Sequence, residues 1–160
     1  MRTITVSEYG TGPAVTELPR PRPEPGQVLI AVQAAGLNPM DMQIANGGWK
    51  DRIPATFPMV LGADLAGIVE EDGPGVAGLE PGDLVFGQLL IAPLGSAGTY
   101  AEYVAVSADA PLAHVPAGTR SLPPRCLQRA APRWRSPSRW RRWPARPRSS
   151  SVPLAVLGRS

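Results

Sequence analysis

Residues 27–43 read Q-V-L-I-A-V-Q-A-A-G-L-N-P-M-D-M-Q, and this stretch decides the fold. Val28, Ile30, Val32 and Ala34 recur at every second position, the period of a strand with one face turned inward. A strand is expected over Gln27–Ala35, with Gly36-Leu37 as the turn that ends it. Asn38-Pro39-Met40-Asp41 then opens a helix. The Asn38 side-chain oxygen suits the N-cap, where it accepts from a free backbone N–H, and the Pro39 ring already holds a helical φ. Asp41 falls in the first turn, where the helix dipole favours an acid. Met40 and Ile44, with Gln43 beside them, fall on one side, and Gly47-Gly48 ends the helix after about two turns.

The flanking sequence repeats the first half of this pattern. Met1–Ser7 alternates Ile4 and Val6 with polar neighbours and predicts a strand. Pro19–Gly26, P-R-P-R-P-E-P-G, is an extended connector ending in a turn. Arg52–Met59 holds Pro54 and Pro58 and is expected as loop. Leu65–Val69 predicts a strand, with Gly62 and Gly67 where the backbone bends or packs closely. Asp72-Gly73-Pro74-Gly75 and Glu80-Pro81-Gly82-Asp83 are turns. Strands follow at Leu84–Gly87 and Gly98–Val106, and Val115-Pro116 closes the segment. Short strands, Gly/Pro turns and one short helix predict a small, mostly β, antiparallel, barrel-like domain.

The 160-residue length suits one domain, and the single cysteine, Cys126, excludes a disulfide framework or a cysteine-rich zinc lobe. The N-terminus lacks the charged and apolar regions of a signal peptide, and no apolar run is long enough to span a bilayer. The expected location is the cytoplasm.

Charge divides the chain in two. Residues 1–119 hold 5 basic against all 13 acidic residues, a net charge of −8. Residues 120–160 hold 11 arginines with neither lysine nor acid, a net charge of +11, and three of the four tryptophans. An asymmetry of this size needs its own explanation.

Five blocks stand in a recognisable order: A-A-G-L-N-P-M-D at 34–41, L-G-A-D-L-A-G-I-V at 61–69, E-P-G-D-L-V-F-G at 80–87, G-T-Y-A-E-Y-V at 98–104 and L-A-H-V-P-A-G at 112–118. In this order the chain resembles the medium-chain dehydrogenase/reductase superfamily, in its zinc-independent, quinone-oxidoreductase-like branch. The resemblance covers about three quarters of the chain. It implies a GroES-like β-barrel domain over residues 1–119, which in full-length relatives packs against a Rossmann domain with NADPH in the cleft. Here the Rossmann domain is expected to be absent, and with it the main NADPH-binding loop.

Catalytic zinc needs ligands such as Cys thiolate and His. Zinc-dependent relatives place a Cys after the second strand and a His-Glu pair in the next glycine motif. Those places hold Asn38-Pro39-Met40-Asp41 and Gly62-Ala63-Asp64, so no metal is expected. His114 stands alone beside Val115-Pro116 and reads as a surface or packing residue. Without metal, the nicotinamide supplies the hydride chemistry and the protein supplies positioning and exclusion of water.

Carried over by resemblance, Asn38, Pro39, Met40, Asp41, Met42 and Gln43 would line the cofactor and substrate cleft, with Asp64 and Tyr100 as further candidates. No catalytic residue is assigned. Gln43 stands where relatives often carry Tyr, so stacking is lost there and any quinone preference is in doubt. The bland readings stand beside these. Asn38 can be a cap alone, Asp41 a first-turn acid, Asp64 a turn-holding carboxylate and Tyr100 a packing residue. The implied substrate is a small carbonyl or quinone compound, with no membrane partner.

The Arg/Pro/Ser/Trp-rich tail, residues 120–160, has three readings. Arg interleaved with Trp can bind nucleic acid or an anionic surface. Arg and Pro without an apolar face can be inert and disordered. The third reading is a shifted frame, in which each codon takes the wobble base of one residue and the first two bases of the next. Across Cys126 to Trp134 such codons can spell P-A-A-G-G-T-A-L, and across Ser151 to Gly158 G-A-A-G-G-V-G. These are the linker and glycine-rich loop that the resembled family places here. The frame reading ranks first, with disorder as its consequence and evolved nucleic-acid binding last.

The leading expectation is therefore an NADPH-dependent oxidoreductase fragment, inactive as this chain. The alternatives are a β-domain with a cationic binding tail and a non-enzymatic GroES-like scaffold.

Overall fold

The structure, a computed structural model, describes residues 1–89 and 91–116. The expectations for residues 120–160, disorder and a shifted frame, lie outside the described residues. Among those described, eight strands and one short helix form two antiparallel sheets. The elements are β1 (Arg2–Val6), β2 (Ala14–Glu17), β3 (Gln27–Gly36), α1 (Pro39–Ala45), β4 (Met59–Val60), β5 (Asp64–Asp72), β6 (Leu84–Gln88), β7 (Tyr103–Ser107) and β8 (Leu112–His114). The order is β2-β1-β4 in one sheet and β7-β3-β5-β6-β8 in the other. No helix of the described residues is long and apolar enough to cross a membrane.

The deciding strand follows its predicted alternation as far as Val32; past the irregularity at Val32/Ala34 it is Ala35, not Ala34, that packs against the core. β3 lies inside the larger sheet, paired with β7 on one side and β5 on the other. Val28, Ile30 and Val32 enter one core cluster with Leu65, Val69, Val85, Val104 and Val106. Alternation suggested a single buried face, yet Leu29 and Ala31 are buried as well. Both faces of this part of β3 are therefore covered by packing, which a single alternating stripe does not show.

β5 extends beyond the expected Leu65–Val69 on both sides, because its ladder to β3 absorbs irregularities at Leu29/Ile30 and Val32/Ala34. Gly67 is explained by close packing: a Cβ there would stand 2.5 Å from the Ala31 carbonyl oxygen. Gly98–Val106 shortens to β7, since Gly98 to Glu102 instead cross to the smaller sheet. Tyr100 N donates to the Leu61 carbonyl, and Thr3 bridges Ala101. The loop expectation at Arg52–Met59 is corrected at its end, where Met59 pairs with Val6 in β4.

A second core cluster joins Val6, Ile44, Ala45, Met59, Leu61, Leu94 and Tyr100. It seats α1 against the smaller sheet. Ile44 and Ala45 are buried and Met40 packs at the edge of this cluster, but Gln43 is exposed and does not share their side. An amide that points to water costs nothing to desolvate, so Gln43 places no demand on the helix rotation.

Candidate functional site

The site grows from the turn between β3 and α1. Asn38 leaves β3 in an extended conformation, φ −122° and ψ 134°, and closes a capping box. Its Oδ1 accepts from the Met40 N–H at 3.0 Å, while its own N–H donates to Asp41 Oδ2 at 2.9 Å. A cap of this kind is worth about 0.5–2 kcal/mol, which matters for a helix of seven residues. At the other end Asn46 caps, Gly47 takes φ +82°, and Gly48 N–H donates to the Gln43 carbonyl.

The outer side of this unit forms an open pocket of about 470 Å³ lined by Met42, Gln43, Asn46, Gly48 and Trp49. Met42 is half exposed. The lining combines a thioether and an indole with two side-chain amides. Such a wall can cover a flat ring by dispersion and hydrogen-bond polar atoms at its edge.

The inner side is a buried polar cluster. Asp41 is 3% exposed and Asp64 5%. Tyr100 Oη lies 2.5 Å from Asp41 Oδ2 and 3.0 Å from the Gly36 carbonyl. Asn38 Nδ2 faces Asp64 Oδ2 at 3.4 Å, and Gln88 Nε2 donates to Asp64 Oδ1 at 2.9 Å. Burial pushes the Asp41 carboxyl above its ordinary value, against hydrogen bonds from Tyr100 and the Asn38 N–H that favour the charged form. Burial and the neighbouring Asp41 also push the Tyr100 phenol up.

The eight residues singled out from the sequence therefore divide. Met42 and Gln43 line the pocket. Asn38, Asp41, Asp64 and Tyr100 meet behind it in the polar cluster. Pro39 is exposed at the first helical position, and Met40 packs into the second core cluster. Asn46, Gly48, Trp49 and Gln88 were not singled out. Trp49 carried a signal, as a lone tryptophan just past the helix, whereas Gln88 carried none. His114 is exposed on β8, 3.1 Å from Asp83. The Glu80 N–H first, and then that contact, hold the Asp83 carboxyl below its usual value.

Residues 24–117 match the alcohol dehydrogenase GroES-like domain, so the chain belongs to that family, within the medium-chain dehydrogenase/reductase superfamily. Its relatives include proteins named quinone oxidoreductase. Quinone oxidoreductase of Lama guanicoe is 44% identical over 115 residues, covering 68% of this chain and 32% of that protein. A solved alcohol dehydrogenase superfamily protein from Novosphingobium aromaticivorans has a TM-score of 0.64 at 39% identity, over 74% of this chain and 35% of that one. Mycobacterial Rv1454c, solved in complex with NADPH, has a TM-score of 0.60 at 32% identity, over 74% of this chain and 35% of its own. The chain spans about a third of the length of these relatives.

Proposed function

We propose that the chain is the substrate-side half of an NADPH-dependent oxidoreductase that reduces quinone or enone-like small molecules by hydride transfer, without zinc. The observation that carries this reading is the pocket of Met42, Gln43, Asn46, Gly48 and Trp49 on the outer side of the helix that follows Asn38-Pro39. The names of the relatives, and the NADPH bound to one solved neighbour, support it.

The residues fit a flat, polar-edged ring. Trp49 and Met42 would cover its face, and the Gln43 and Asn46 amides would meet its oxygen or amide substituents. The Asn38 amide oxygen serves the cap and one of its two side-chain N–H groups faces Asp64, which leaves the other for a substrate carbonyl or a ribose hydroxyl. Bound nicotinamide would supply the hydride. These side chains orient the acceptor and keep water from its face. The zinc-free reading rests on Ala63 and Asp64 standing where a His-Glu pair would be needed, with Asp64 already hydrogen-bonded by Gln88 and Asn38.

The second part of the proposal concerns residues 120–160, whose arginine-rich sequence is read as the out-of-frame product of a coding region for the linker and glycine-rich loop. The 160-residue chain then has little or no turnover. Incubating it with NADPH and a benzoquinone and following NADPH oxidation tests this. A flat trace is expected, and sustained turnover would refute the inactivity. Resequencing the gene across these codons tests the frame: an interrupted open frame downstream contradicts it.

A further inference from the structure

Tyr100 and Asp41 pose a proton-counting problem on the inner side of α1. Tyr100 Oη lies 3.0 Å from the Gly36 carbonyl oxygen and 2.5 Å from Asp41 Oδ2. A phenol carries one proton, and a carbonyl oxygen can only accept. With Asp41 ionised, the Tyr100 proton serves one of these oxygens while the other faces a lone pair. A second proton removes the conflict. We propose that protonated Asp41 donates to Tyr100 Oη while Tyr100 donates to the Gly36 carbonyl, forming an acid-tightened latch that fastens the first turn of α1 to the end of β3.

The surroundings favour the proton. Asp41 is 3% exposed and Tyr100 8%, so the charged form of Asp41 pays heavily for its burial. The groups that act on it come from each packed element. Asn38 at the start of α1 donates its N–H to Asp41 Oδ2, Tyr100 stands opposite from the segment before β7, and Asp64 on β5 adds like-charge repulsion. These groups are acidic or neutral. The Tyr100 and Asn38 hydrogen bonds and the helix dipole pull toward ionisation, but burial is the largest effect and the net direction is upward.

The latch lies behind the helix whose outer side presents Met42, Gln43 and Asn46 to the pocket. Its protonation therefore sets how firmly one pocket wall is held, whatever the pocket binds. When Asp41 ionises, the Gly36 carbonyl and the carboxylate compete for one phenol proton. The attachment then loses one of its two hydrogen bonds.

The test uses the full 160-residue chain labelled with ¹³C and ¹⁵N, with the Asp41 carboxyl assigned through bonds from its own amide. The expected Asp41 midpoint lies above 3.8, the ordinary value of the group, because burial disfavours its charged form. Hydrogen-exchange protection of the Ile44, Ala45 and Asn46 amides, corrected for intrinsic rates, should then fall about tenfold above that midpoint. In Tyr100→Phe this dependence should flatten. An Asp41 that titrates at or below 3.8, pH-independent protection of α1, or an unchanged pH dependence in Tyr100→Phe would each overturn the latch.

Discussion

Gln88 Nε2 donates to Asp64 Oδ1 at 2.9 Å, and the two residues stand opposite each other where β6 ends and β5 begins. The pair holds a carboxylate that is almost fully buried, and among the described residues its other oxygen reaches only the more distant Asn38 amide. Replacing Gln88 by Leu leaves Asp64 short of a partner. The expected cost is about 1–3 kcal/mol, the usual penalty for a buried polar group left unpaired. Urea unfolding of the variant checks this, and an unchanged midpoint would mean that water replaces the amide without loss.

The cap at Asn38 makes a separate claim. Asn38→Ala removes the acceptor for the Met40 N–H and the donor to Asp64. It should destabilise the chain by about 0.5–2 kcal/mol, while Asn38→Ser keeps a capping oxygen and recovers part of that. Equal losses in both variants would show that the contact to Asp64, and not the cap, carries the effect.

The legibility of the fold followed the range of the interactions. The strand Gln27–Ala35 and the Asn38-Pro39 helix start could be read because alternation and capping are decided within a few residues. β2 and β4 were not readable. Val15 in β2 is exposed on an edge strand, and β4 is two residues beside Pro58, so each is a strand only because β1 lies next to it. At the site, the sequence named Met42, Gln43 and Asp41 together and could not tell which side of the helix each would take. What turns Asp41 inward is Tyr100, 59 residues further along the chain. Trp49 and Asn46 lie at and beyond the Gly47 turn, where helical spacing no longer predicts direction.

Acidity should act on stability with two opposite signs. Asp41 is raised above 3.8 in the folded chain, mainly by burial, so its contribution is complete below 3.8 and is lost as pH rises through the raised value. Glu102 is the reverse. Burial would raise it, but hydrogen bonds and charge from Arg2 hold it below 4.5. Its contribution is present above 4.5 and is lost as pH falls through the lowered value. Urea midpoints measured across this range should show Asp41→Asn flattening the slope above pH 3.8 and Glu102→Gln flattening the one below 4.5. If neither variant changes its slope, the assignments fail.

Gly62 should resist substitution more than its position in a loop suggests. Its φ is +94°, and a Cβ would stand 2.5 Å from Thr99 Oγ1 and 2.6 Å from the Tyr100 ring. Gly62→Ala therefore strains the backbone and pushes Tyr100 away from Asp41. A loss of about 1–3 kcal/mol is expected. The shift should appear in the Tyr100 ring resonances as well as in the unfolding midpoint, and undisturbed Tyr100 resonances would contradict the contact.

The central claim is that this domain supplies one wall of a reductase cleft whose other half is encoded out of frame. It is tested most directly by correcting the frame near codon 120 and measuring NADPH oxidation with a benzoquinone, beside the 160-residue chain and a frame-corrected Trp49→Ala. Turnover is expected in the corrected protein, little or none in the 160-residue chain, and a raised KM in Trp49→Ala. A folded, NADPH-binding corrected protein that turns over no quinone, or one indifferent to Trp49, would contradict it.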